Sequence, residues 1–243
     1  MMSKSNLTTW EEFERYKEVA LKTAAPLDGV IANLTHAALG LCDEAYELSI
    51  AQPGSVNEQE ELGDCLWFAV LASHFIEKEI KVDPWRERPS QRVVSPRTSI
   101  MMKAMQIAGL IKKPFAYGDK KPIPWHEIAD CVGVIISAIA DAANNNGATI
   151  GDIMRSNLAK LSFRFDGSFS SDRAINRDTQ TENAVLDWVK DSKQYEICET
   201  ADERSAAISR MVSSGYKADA KFFGATEVTP RCWVVKSVSV EEQ

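Results

Sequence analysis

Residues 38 to 75 read ALGLCDEAYELSIAQPGSVNEQEELGDCLWFAVLASHF, and this stretch decides the fold. Pro53-Gly54-Ser55 interrupts the apolar pattern and splits the stretch into two helices joined by a turn. The first helix carries an apolar stripe through Val30, Leu34, Ala37, Leu41, Ala45 and Leu48, with Glu44 inside that stripe and Glu47 one turn on. The second is apolar on nearly every side from Cys65 to Ile76 and opens on Glu61 and Asp64. Residues three apart share a helix face, so Glu44 stands over Glu47 and Glu61 over Asp64. The stretch is a helical hairpin that carries acid into its apolar side.

Carboxylates placed there need a counter-charge, because leaving a buried charge without its partner costs roughly 3–5 kcal/mol. Converging oxygen donors suit a hard divalent cation, Mg²⁺ or Mn²⁺. The plain alternative is two solvated acidic faces, the usual setting of Glu-rich stretches. Two acid pairs on consecutive helices, both set against apolar stripes, favour a site. A di-iron carboxylate bundle would also place Glu three residues before a His, and none of His36, His74 and His126 is so preceded.

Asp43-Glu44-x-x-Glu47, followed after thirteen residues by Glu61-x-x-Asp64 within EELGDCLWF, resembles the metal signature of the MazG-type all-α nucleoside triphosphate pyrophosphohydrolases. Asp43 stands where that family usually has Glu. Further on, Asn157-x-x-Lys160-Leu-x-x-Arg164-Phe before a Gly-containing loop is similar to the family's closing helix, and the segment from Phe169 to Asp178 resembles its terminal F-S-x-x-x-A-x-x-R-D run, which includes Arg177. The resemblance covers residues from about 8 to 180. It implies Mg²⁺-dependent cleavage of a nucleoside triphosphate between the α and β phosphates, giving a monophosphate and pyrophosphate. In that scheme Glu44, Glu47, Glu61 and Asp64 are both metal ligands and catalytic groups, one Glu serving as general base. Lys112, Lys113, Asn157, Lys160 and Arg164 contact the phosphates, with Arg177 a weaker candidate.

Composition sets the outer bounds. The chain has 243 residues, a formal charge of -7 and 44% apolar content, which is ample for a core and unsuited to a general nucleic-acid binder. Five cysteines without a C-x-x-C pair, several within apolar runs, read as reduced thiols of a cytoplasmic protein. No stretch reaches the roughly 18 apolar residues of a membrane span, so a membrane partner is not expected.

In chain order, Thr9-Trp10-Glu11-Glu12 fits a capping box that opens a helix running to about Thr23, and Pro26 and Gly29 mark the break before the acidic hairpin, residues 28–80. Trp85 to Thr98 is polar, Arg-rich and twice interrupted by Pro, and reads as a connector. The chain then repeats itself over residues 98–165. HEIADCVGVIISAIA (126–140) aligns without a gap on EELGDCLWFAVLASH (60–74), pairing Glu127 with Glu61, Asp130 with Asp64 and Cys131 with Cys65. Lys103 and Gln106 stand where the two Glu of the first helix should be, so the second copy is not expected to hold a metal.

Asn144-Asn145-Asn146-Gly147 reads as a left-handed helix cap, Thr149 or Asp152 starts the next helix, and that helix ends near Phe165. Past Ala184 the periodicity changes to β-rich at Tyr195–Thr200 and Arg231–Val238, alternating over Tyr216–Phe222 and helical over Asp202–Val212.

The expected fold is therefore mainly α: an all-α bundle with internal duplication over residues 1–182, then a small β-α-β-β domain over 184–243. The expected partners are a nucleoside triphosphate, no nucleic acid, and a second copy in a homodimer of internal pseudo-dimers. The alternative function is a non-catalytic nucleotide sensor or adaptor whose C-terminal domain carries a partner surface.

Overall fold

The computed structural model describes residues 10–85, 94–165, 169–176, 179–189, 192, 195–198, 200–223 and 232–238. Thr9 of the capping box, the interior of the Trp85–Thr98 connector, Gly167, Ser168 and Arg177 lie outside the described residues. The chain forms α1 (Trp10–Leu21), α2 (Val30–Ile50), α3 (Val56–Ile80), α4 (Pro96–Tyr117), a 3-10 turn at Gly118–Lys120, α5 (Trp125–Asn145), α6 (Ile150–Phe165), α7 (Ser171–Ile175), α8 (Thr179–Val189), β1 (Tyr195–Cys198), α9 (Ala201–Ser213), β2 (Lys217–Phe223) and β3 (Cys232–Val238). It is mainly helical with a small C-terminal antiparallel sheet.

Two compact units result, Met1–Asn157 and Leu158–Gln243. The division falls inside α6 and not after residue 182, and the packing of the second unit shows why. Ala159 and Phe163 of α6 share a core with Val185 of α8 and with Phe223, Cys232 and Val234 of the sheet. The sheet runs β1-β3-β2, all antiparallel, with Phe222 opposite Trp233 and Ile197 opposite Val234. Alternation puts Trp233 and Val235 on the other face, where Val235 meets Ala207 and Met211 of α9. The β-α-β-β element is thus covered by helices on both faces.

In the first unit the acidic hairpin is α2 and α3, with Leu34, Ala37, Leu41, Ala45 and Leu48 all buried as the stripe requires. Ser55 caps α3 by accepting a hydrogen bond from the Glu58 amide. The second hairpin is α4 and α5. Pro96 does not interrupt the chain there. It is the first residue of α4, a position where its missing N–H goes unused, and Ser95 accepts from the Thr98 amide. Gly147, at φ 74°, follows α5 as the left-handed residue the Asn-Asn-Asn-Gly run calls for. Asp152 then closes a reciprocal cap with Thr149 at the start of α6.

The hairpins pack with α2 on α4 and α3 on α5, so equivalent helices of the two copies meet, as they would about a two-fold axis. Their turns point to opposite ends. At one end Arg97, from the start of α4, donates to Glu58 Oε1 and to the Ala51 carbonyl, while Asn146, just past α5, donates to Glu58 Oε2 at 2.7 Å. At the other end a hollow of about 370 Å³ is walled by Val30, Glu79, Pro114, Gly118 and Trp125.

Glu58 is the fastener of the first end. It is 3% exposed and also accepts from the Gly54 amide at 2.6 Å, so one carboxylate ties both hairpins and the turn between α2 and α3. Removing one partner of such a pair strands the other charge. We expect Arg97→Met to lower unfolding free energy by roughly 3 kcal/mol, read as a lower urea midpoint at unchanged slope.

Candidate metal centre

Glu44 of α2 and Glu61 and Asp64 of α3 converge, each offering an oxygen within 4.8 Å of the others. Glu61 is buried, whereas Glu44 and Asp64 are half-buried. The apolar stripe accounts for the position of Glu44: Leu41, Ala45 and Leu48 of α2 are buried, and Glu44 sits among them one residue before Ala45. Glu47 stands one turn further on but is exposed and outside this trio. Three carboxylates are therefore brought together where the sequence suggested four.

Asp64 is held in place from behind. The Asn157 carboxamide donates to Asp64 Oδ1 at 2.9 Å, and the Tyr16 hydroxyl donates to Asn157 Oδ1 at 2.8 Å. Tyr16 is 1% exposed and Asn157 3% exposed, so the whole relay is buried. Burial first, then the charge of Asp64, push the Tyr16 phenol well above its ordinary value, which keeps it a proton donor. The tyrosine fixes the carbonyl end of the amide and so directs the NH₂ end at the carboxylate. Gly63 makes the approach possible: a methyl group there would stand 3.0 Å from Asn157 Cβ and 3.1 Å from Nδ2.

Cys65 registers the local field. Burial, then Glu44, Asp64 and Glu61, all push its thiol well above the ordinary range. At Cys131, its counterpart in the second hairpin, burial raises the thiol, Lys103 pulls it down, and Asp130 and Glu127 raise it. The charges that act on Cys65 are thus all negative, whereas those that act on Cys131 are of both signs. Glu127 and Asp130 are exposed, and Lys103 donates to Gln106 at 2.8 Å. Among the described residues, Glu44, Glu61 and Asp64 alone form such a cluster.

Of the remaining expected site residues, Lys112 and Lys113 lie apart from the trio along the bundle. With a rise of 1.5 Å per residue, Glu44, Glu61 and Asp64 lie roughly 8–12 Å from the Glu58 end of the bundle and Lys112 roughly 22 Å from it. Lys112 and Lys113 are exposed toward the opposite end, before the last turn of α4. Lys160 follows Asn157 by one turn of α6 and is 1% exposed. Arg164 forks onto Glu182 of α8, Nε to Oε1 at 2.8 Å and a terminal nitrogen to Oε2 at 2.6 Å.

Sequence reasoning did not pick out Tyr16. The available signal was its place in an amphipathic opening helix, where a buried tyrosine hydroxyl requires a partner. No family model, curated protein or solved structure matches the chain.

The donor set is all oxygen and of hard character, which fits Mg²⁺ or Mn²⁺ and disfavours Zn²⁺. A cation bound to the folded state raises its stability by about 2.7 kcal/mol at one hundred times its Kd. We expect Mg²⁺ to raise the Tm of the wild type, Glu61→Gln and Asp64→Asn to lose most of that rise, and Glu47→Gln and Glu127→Gln to keep most of it. Gly63→Ala, which crowds Asn157, should cost about 1–3 kcal/mol even without Mg²⁺.

Proposed function

We propose that the chain hydrolyses a nucleoside triphosphate to its monophosphate and pyrophosphate. The observation that carries this reading is the convergence of Glu44, Glu61 and Asp64, with Asp64 aligned by Asn157 and Tyr16. The spacing of these acids and the Asn157-x-x-Lys160 block are also what the resemblance to the MazG-type pyrophosphohydrolases rests on.

A divalent cation bound by the three carboxylates would neutralise phosphate charge and raise the electrophilicity of the phosphorus to be attacked. The chain's own groups do the rest. Glu44, Glu61 and Asp64 would hold that cation and so set where the triphosphate stands, and one of the glutamates accepts a proton from the attacking water. Asn157 keeps Asp64 in one orientation, so its oxygens need not reorganise as charge develops. Water attacks the α-phosphorus, the bridging bond to the β-phosphate breaks, and pyrophosphate leaves with the electron pair. The resemblance adds Lys160 as a phosphate contact. Lys112 and Lys113, at the far end of the bundle, have no part in this scheme.

The test is ³¹P NMR of a triphosphate panel with and without Mg²⁺. Expected is pyrophosphate release that requires the metal, falls at least 100-fold in Asp64→Asn and changes little in Glu127→Gln. Lys160→Ala should raise KM about tenfold or more, as loss of a charge-assisted bond of about 1.5–3 kcal/mol would. Release of inorganic phosphate in place of pyrophosphate, or unchanged turnover in Asp64→Asn, would contradict the reading. Metal-dependent nucleotide binding without turnover would favour the sensor alternative.

A further inference from the structure

An open groove of about 580 Å³ runs along α2 beside α3, lined by His36, Leu39, Asp43, Glu44, Tyr46 and Phe68. Glu44 belongs both to this groove and to the carboxylate trio, so the groove begins where the trio ends. Its size lies within the range of small-molecule pockets.

The wall is aromatic and held firmly. The Phe68 ring stands edge-on to His36, with centroids 5.4 Å apart and planes at 87°, and edge-on to Trp67 at 4.7 Å and 89°. Trp67 is pinned by its indole N–H, which donates to the Ala20 carbonyl and the Thr23 hydroxyl, both at 3.1 Å. Gly40 makes room for Phe68: a methyl group there would come within 2.2 Å of the ring carbons. Leu39 and Tyr46, 63% and 60% exposed and two helical turns apart, form an apolar rim.

Polar groups in this groove are few, and their chemistry is selective. The Asp43 carboxylate is exposed and, when ionised, only accepts hydrogen bonds. His36 Nδ1 is buried and makes no hydrogen bond with any of the described residues. Burial lowers the His36 pKa, so the ring is neutral at physiological pH and lends the groove no charge.

We propose that this groove receives the base of the nucleotide whose phosphates lie at the carboxylate trio, and that Asp43 selects bases bearing an exocyclic amino group over uracil and thymine. This rests on the nucleotide reading above. A planar heterocycle stacks on an aromatic wall whatever its sequence of atoms. Cytosine, adenine and guanine each offer an amino group to a carboxylate, whereas uracil and thymine set two carbonyl oxygens around a single N–H and bring lone pairs against it.

The experiment is equilibrium titration of the full chain, in Mg²⁺, with the 5′-monophosphates of cytidine, adenosine, guanosine and uridine, and with inorganic pyrophosphate as the base-free control. The first three should bind at least tenfold more tightly than the uridine nucleotide. Asp43→Asn, which offers a donor as well as an acceptor, should erase that preference. Phe68→Ala should weaken the amino-bearing nucleotides about tenfold and leave pyrophosphate binding unchanged. Because Phe68 packs on Gly40 and its loss risks the fold, the exposed Asp43 variant decides independently. Equal affinity for all four in the wild type, or a preference that survives Asp43→Asn, overturns the proposal. Base-selective, Asp43-dependent binding with no pyrophosphate release from any triphosphate would sink the hydrolytic reading and leave the groove standing. Release from all four triphosphates without base selectivity would do the reverse.

Discussion

Three carboxylates within 4.8 Å of one another repel, and the first unit is arranged around holding them there. Glu44 and the Glu61–Asp64 pair come from different helices, so their approach depends on the α2–α3 packing and not on local sequence alone. Leu34, Leu41 and Leu48 of α2 are completely buried, and each fully buried leucine contributes about 1.5–3 kcal/mol. The hydrophobic gain of the hairpin offsets the charge it concentrates. Asn157 and Tyr16 add direction: a buried amide and a buried phenol, each satisfied by the other, turn one oxygen of Asp64 into a fixed point.

A second constraint operates at the end of the bundle. Glu58 is as deeply buried as Glu61 and lies on the same helix, yet its role is different. Its oxygens meet Arg97, Asn146 and the Gly54 amide, so its charge is matched inside the protein. Two acids three residues apart on α3 thus divide the work, Glu58 fastening the hairpins together and Glu61 joining the trio.

Much of this architecture was legible because it follows from short-range rules. Pro53-Gly54-Ser55, Asn146-Gly147 and Thr149-Asp152 place helix ends through turn and cap chemistry, and the alternation over Tyr216–Phe222 and the β-rich run Arg231–Val238 mark the strands Lys217–Phe223 and Cys232–Val238. What was not legible depends on contacts between distant residues. Arg97 read as part of a charged connector because its partner Glu58 is 39 positions away. Nothing in the sequence reading marked the helix α8, which begins at Thr179 and buries Val185 and Leu186, with Glu182 matched to Arg164. Glu47 looked equivalent to Glu44 because spacing alone cannot tell an exposed third-neighbour carboxylate from a converging one. Lys112 and Lys113 read as phosphate contacts because the sequence does not show that α4 runs antiparallel to α2 and carries them to the other end.

Glu44, Glu61 and Asp64 are arranged as a cluster that could hold a hard divalent cation. The most direct measurement is anomalous scattering from crystals grown with Mn²⁺. A single strong peak between these three side chains, at about 2.0–2.2 Å from carboxylate oxygens and lost in Asp64→Asn, is the predicted result. A peak at Glu127 and Asp130, or none within reach of Glu61, would contradict it.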